Sequence, residues 1–180
     1  LKESENTRLG LLQEYRDRRI SRVTEGEKKL QLEQSKLYES GNLLEKDYKN
    51  RLLAIEISSL FSRLEIAKDY QNDVSELEFQ NGEIKAKAVK EAGNNVLDLE
   101  RKISEKRAAI AQSTINQIQN FNNQFGKTNS LATVDQQLAA LKTFYNSQIE
   151  LAKKNGIDTT LLTAVYEEAK RKICLLYTSP

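Results

Sequence analysis

The sequence has no histidine, no methionine and no tryptophan, and only one cysteine and one proline. Without histidine there is no Ser-His-Asp set, no Cys-His pair and no helical HExxH zinc site. A single cysteine allows no disulfide framework. No GxxxxGK[ST] or GxGxxG stretch exists to cradle a phosphate. Aromatics make up only 7% of the chain, too little bulk for a wide globular core. With seven glycines and one proline, helix breakers are also scarce, and strand formers are outnumbered by Lys, Glu, Leu, Gln and Ala. The longest charge-free stretch, 108–126, is full of Gln and Asn and is no membrane span.

What is present is charge of both signs. The 28 basic and 26 acidic side chains are interspersed and leave a net charge of +2, so no strong field points to nucleic acid or to an acidic membrane. Carboxylates such as Glu167 and Glu168 read as solvated helix faces. Pairs such as Glu76 with Glu83, or Glu100 with Glu105, lack metal-ligand spacing, and no cofactor is expected. Arg16, Arg18, Arg19 and Arg22, beside Tyr15, form the one local basic cluster. Glu14, Asp17 and Glu25 dilute its field, so it reads as an exposed helix face rather than a phosphate-contacting patch.

Apolar residues recur at steps of three and four, the signal of amphipathic helix. Val23, Leu30, Leu37 and Leu44 lie seven apart, although the intervening Glu27, Gln34 and Gly41 make that seam half polar. Leu53, Ile57, Leu60, Leu64 and Ala67 form a second stripe; Val89, Ala92, Val96, Leu99 and Ile103 a third. A fourth comprises Val134, Leu138, Leu141 and Tyr145, and reaches Ala152 past a polar Gln148. The phase drifts toward the straight-helix period of about 3.6, which argues against one uninterrupted left-handed coiled coil.

The expected fold class is therefore all-α, with long amphipathic helices of coiled-coil type and a C-terminal antiparallel helical hairpin. Residues 1–121 form the long helical region, with kinks near Gly82 and Gly93. Residues 122–132, rich in Asn and Gln, form a turn near which Phe121, Phe125, Phe144 and Tyr145 pack. Residues 133–173 form the hairpin. Thr133 and Gln136 have capping-box spacing. Lys153 and Lys154 suit a helix C-terminus, Gly156 the left-handed residue after it, and Asp158 the cap of the next helix. Asn155, Gly156, Ile157 and Asp158 are thus the expected hairpin turn. The last seven residues, Cys174 to Pro180, resemble translated sequencing-library adapter; they hold the chain's cysteine and proline.

From Tyr145 through Leu162, and again at Tyr166-Glu167-Glu168-Ala169-Lys170, the sequence resembles helical hairpins of bacteriophage and prophage tail tape measure proteins. The matching stretch covers about thirty residues, and the Gln/Asn-rich, Lys/Glu-rich character of the rest is similar. The resemblance implies a non-enzymatic structural role: an oligomeric helical rod that sets tail length while the virion tail assembles in the host bacterial cytoplasm. Its partners would be copies of itself through the helix seams, tail tube proteins and baseplate proteins. A fully helical piece of this size would span roughly 260 Å if straight. The alternative is a cellular coiled-coil scaffold or filament, such as a secretion, cytoskeletal or chromosome-organising arm.

Overall fold

The computed structural model describes residues 4–128, 133–154, 156 and 159–178, with the side chains at 46, 122–128, 151 and 176–178 left aside. It is all-α: the described residues form five helices and no strand. They are α1 (Glu5–Glu39), α2 (Glu45–Glu76), α3 (Gly82–Thr128), α4 (Val134–Lys154) and α5 (Thr160–Thr178). The chain divides into two units, 1–104 and 105–180, and α3 contributes residues to both.

Helix α1 begins at Ser4, whose hydroxyl accepts the Thr7 N–H at 3.2 Å. It ends in a Schellman motif. The Asn42 N–H donates to the Leu37 carbonyl and the Gly41 N–H to the Tyr38 carbonyl, both at 3.0 Å, with Gly41 at φ 75°. This corrects the reading of 1–121 as one helical run interrupted only near 82 and 93. The Val23–Leu44 seam does not pass through Gly41, because the chain reverses there. Gly41 had looked like a small seam residue; its function is to take a conformation that costs an L-residue about 1–2 kcal/mol.

After the turn, Leu44 caps α2 with extended backbone and no side-chain bond. Contacts then run in opposite directions along α1 and α2. Tyr38 stacks on Tyr48, Gln34 meets Arg51, Glu27 meets Arg63, and Arg19 meets Asp69. The two helices are antiparallel.

Near Gly82 the backbone does not kink but breaks. Helix α2 ends at Glu76, and Asn81 opens α3 by accepting the Glu83 N–H at 3.0 Å. The Glu5 carboxylate reaches across from α1 to accept the Gln80 and Asn81 N–H groups. This places an anion at the positive end of α3. At Gly93, by contrast, α3 continues as helix. The glycine faces α2, and a Cβ there would lie 3.4 Å from Gln71 Nε2, the mobile end of a side chain.

In the second unit α3 continues to Thr128, so the first part of the turn expected over 122–132 is helical; residues 129–132 lie outside the described residues. Thr133 and Gln136 form a reciprocal capping pair. The Gln136 N–H donates to Thr133 Oγ1 at 3.2 Å and the Thr133 N–H to Gln136 Oε1 at 3.0 Å. At the end of α4, Gly156 adopts φ 65° and its N–H donates to the Lys153 carbonyl. Asn155, Ile157 and Asp158 lie outside the described residues. Helix α5 runs on past the buried Ile173, through Cys174, to Thr178.

The two glycines predict opposite outcomes. Gly41→Ala should destabilise the chain by about 1 kcal/mol through backbone strain alone, since its surroundings are open. Gly93→Ala should stabilise it by about 0.5–1 kcal/mol through helix propensity, provided Gln71 shifts by a few tenths of an ångström. Urea unfolding monitored by circular dichroism checks both.

Candidate association surfaces

The surfaces that could carry association are the helix faces, and they differ in chemistry. Between α2 and the first half of α3 the seam is apolar. Tyr70, Val74, Ala88 and Ala92 form one buried cluster, and Ala67, Val96 and Leu99 another. Leu60 and Leu64 pack against the second cluster, and Val89 against the first. Alanine on both helices lets the backbones approach closely. Each larger side chain buried here contributes roughly 1.5–3 kcal/mol. A Lys68–Glu100 pair at 3.2 Å borders the seam.

Between α1 and α2 the seam is mixed, with a polar centre. No residue of α1 is buried. Glu27 is its centre: one carboxylate oxygen accepts from Ser59 Oγ at 2.5 Å and from Arg63 Nη2 at 2.8 Å. Arg63 also donates to Thr24 Oγ1 at 3.2 Å. Arg51 donates to Gln34 at 3.0 Å, and the Ser35 and Tyr48 hydroxyls meet at 2.9 Å. The half-buried apolar residues of α1 are Leu9 and Leu12, which pack on the Tyr70 cluster, and Ile20 and Val23 further along.

Three of the four clustered arginines of α1 are paired within the chain, and Arg22 is exposed. Arg16 pairs with Asp17 at 2.8 Å and lies 4.6 Å over the Tyr70 ring. Arg18 pairs with Glu14. Arg19 bonds Asp69 at 2.7 Å and lies over Tyr15; the hydrogen bond to Asp69 pushes its pKa above the ordinary arginine value. Several other pairs are local, within one helix turn. Lys102 and Arg101 both hold Asp98, keeping its carboxyl below the usual aspartate range, and Lys49 does the same for Glu45. On exposed helix faces such pairs add little stability.

In the second unit Ile110, Ile115 and Ile118 of α3 are buried, as are Leu141 and Ala152 of α4 and Leu162, Ala169 and Ile173 of α5. Helices α4 and α5 meet where Tyr145 stacks on Tyr166 at 4.1 Å and its hydroxyl lies 2.9 Å from Thr163 Oγ1. Phe121 stacks on Phe144 at 4.5 Å. The Arg107 guanidinium covers Gly156 so closely that a Cβ there would fall 2.6 Å from Nη2. Gln148 is buried with its Oε1 unpartnered.

The expected seam residues therefore separate into three groups. Ile57, Val96, Leu99, Ile103 and Leu141 are buried, together with the stripe residues Ala67, Ala92 and Ala152. Val23, Leu53, Leu60, Leu64, Val89, Leu138 and Tyr145 are half-buried. Leu30, Leu37 and Leu44 are exposed, Leu44 by 74%. This last group corrects the first seam: residues seven apart stay on one helix face, but in α1 that face lies beside the α2 contact, and Leu44 sits beyond the turn.

Several buried residues were not singled out from sequence. Tyr70 and Val74 continue the Leu53–Ala67 stripe by steps of three and four, so their signal was present. Ser59 and Ile66 lie on a different face of α2. Ser59 and Arg63 meet α1 there, and Ile66 shares that face by its three-residue step from Arg63. A polar Ser59 gave no hint of it.

Among the described residues there is no group of three or more His, Cys, Asp or Glu placed to hold a metal ion, and no helix long and apolar enough to cross a membrane. No protein-family model, curated protein or solved structure matches the chain.

The burial pattern predicts unequal truncation costs. Leu141→Ala should cost about 2–5 kcal/mol, the usual range for a filled core position. Leu30→Ala should cost no more than about 0.5 kcal/mol, as at other surface sites. Denaturant midpoints of the two variants provide the comparison.

Proposed function

We propose that this chain is a structural helical segment of a bacteriophage tail tape measure protein, contributing to the rod that sets tail length during assembly. The reading rests on the resemblance over residues 145–170. The observation that carries it in three dimensions is that the buried side chains form narrow stripes along long helices, with α3 alone running 47 residues. Stripes of this width suit side-by-side association. The proposal assigns no catalytic residue and no cofactor. Its partners are other copies of the chain, the tail tube and the baseplate, and its location is the virion tail.

In this reading α4 and α5 form an antiparallel hairpin closed at Gly156, with Tyr145 against Thr163 and Tyr166 as its internal clasp. The proposal also has a mechanical consequence. Helix rise is about 1.5 Å per residue, so α1 spans about 53 Å. A ruler transmits the length of every residue only if its helices follow one another along the axis. In the first unit they fold back, so length setting requires that the turns at 40–44 and 77–81 straighten when tube subunits enclose the chain.

The test is an in-frame deletion of residues 45–76 in the gene that encodes the chain. Electron microscopy of purified virions should show tails shorter by about 48 Å if α2 lies along the axis. Tails of unchanged length would defeat the proposal and favour the cellular scaffold reading.

A further inference from the structure

We propose that α1 is a releasable arm, which leaves the α2–α3 pair as an intact helix by rotation at the turn 40–44 while α2 and α3 stay packed. The inference concerns the first unit alone; the turn at 40–44 opens while that at 77–81 stays closed, and its test on the isolated chain does not require the length-setting role.

Three observations converge on it. First, α1 runs 35 residues without one buried side chain, and Leu9, Leu12, Ile20 and Val23 are only half-buried. On the α2 face that meets α1 the buried residues are Ser59 and Ile66, whereas the α2–α3 seam buries Ala67, Val74, Ala88, Ala92, Val96 and Leu99. Second, from Arg19 to Ser35 the interhelical bonds on α1 come from charged or polar groups. These groups exchange protein partners for water at little net cost, unlike an apolar seam. The Glu27–Arg63 pair even favours release in part. Its side chains are only 18% and 31% exposed, and Arg63 Nε is buried with no hydrogen-bond partner. Swinging α1 away returns that group, Glu27 and Ser59 to water and recovers their lost solvation.

Third, the link is built to rotate. Gly41 has open space around it and tolerates either sign of φ, and Leu44 enters α2 without a side-chain cap. At the far end the anchors are the half-buried Leu9 and Leu12 and the exposed Glu5 carboxylate on the Gln80 and Asn81 amides. Of the cross-helix ion pairs Arg19–Asp69 and Glu27–Arg63, the first is the more exposed, at 29% and 48%, so added salt weakens it most and should loosen the arm; the screening length falls from about 10 Å at about 0.1 M to about 3 Å at about 1 M.

Electron–electron distance measurements on doubly spin-labelled chain test this, with Cys174→Ser removing the native thiol. Labels at Lys29→Cys and Ser58→Cys report the α1–α2 gap, and labels at Asn72→Cys and Lys90→Cys report the α2–α3 gap. All four native side chains are exposed. Between low salt and about 1 M salt, the 29–58 pair should gain a separate long-distance population, rising at least about fivefold. The 72–90 distribution should stay single, and helicity by circular dichroism should hold constant. The variant Glu27→Leu with Arg63→Leu, which makes the central layer apolar, should suppress the long population. A 29–58 distance indifferent to salt overturns the proposal. So does simultaneous opening of the 72–90 pair, or loss of helicity in step with the distance change, which would mean melting. Should the double variant not fold, the salt titration of the labelled chain with its native Glu27–Arg63 layer decides the matter alone.

Discussion

An α-helix whose apolar side chains occupy one narrow stripe has to cover that stripe with another helix, because a single helix in water is marginal whatever its propensity. Everything in this chain follows from that requirement. The stripe at Leu60, Leu64 and Ala67 is met by Val96 and Leu99, and its continuation at Tyr70 and Val74 by Ala88 and Ala92. The covering helix comes from the same chain because the intervening residues reverse it within a few positions. Asn81 caps α3 as soon as Leu77 has turned extended.

The two seams of the first unit answer the requirement differently. Helix α2 is shared between them. One face is apolar and close-packed; the other carries Ser59 and Arg63 against Glu27 and Thr24. Polar bonds at a half-exposed seam fix register, since Glu27 can satisfy Ser59 and Arg63 together only at one sliding position. They add less net stability than the same area of buried hydrocarbon. The asymmetry divides the work: the α2–α3 seam buries hydrocarbon, and the polar centre of the α1–α2 seam fixes where α1 sits. The Leu30 and Leu37 side chains left exposed on α1 belong to the same economy, for they flank the contact rather than form it.

In the second unit the same rule operates with different side chains. Aromatic stacks, Phe121 on Phe144 and Tyr145 on Tyr166, take the place of the alanine contacts. Stacked ring faces at about 4–5 Å bury a large area per side chain. Gln148 interrupts the stripe of α4 in sequence and is buried in the fold, where its unpartnered oxygen works against stability.

Helix content, the helix start at Thr133, and the stripes that carry Ile57, Val96, Leu99, Ile103 and Leu141 were legible in the sequence, whereas the helix start at Asn81 was not, since Asn81-Gly82 read there as a kink. Each legible feature depends on interactions within a few residues: propensity, a cap, or a three-to-four-residue period. Gly41 marks the boundary of that legibility. Locally it could be a small seam residue or the end of a helix, and only the Schellman bonds from Asn42 and Gly41 decide between them. The Asn- and Gln-rich stretch that continues α3 to Thr128 is a second case, helical despite poor helix propensity. The partner of each face was wholly a tertiary matter. A heptad period says that Val23, Leu30 and Leu37 share a face, but not which way that face points once a neighbouring helix has docked. Rotation of one helix about its axis leaves every local interaction unchanged, so contacts distant in sequence must choose it.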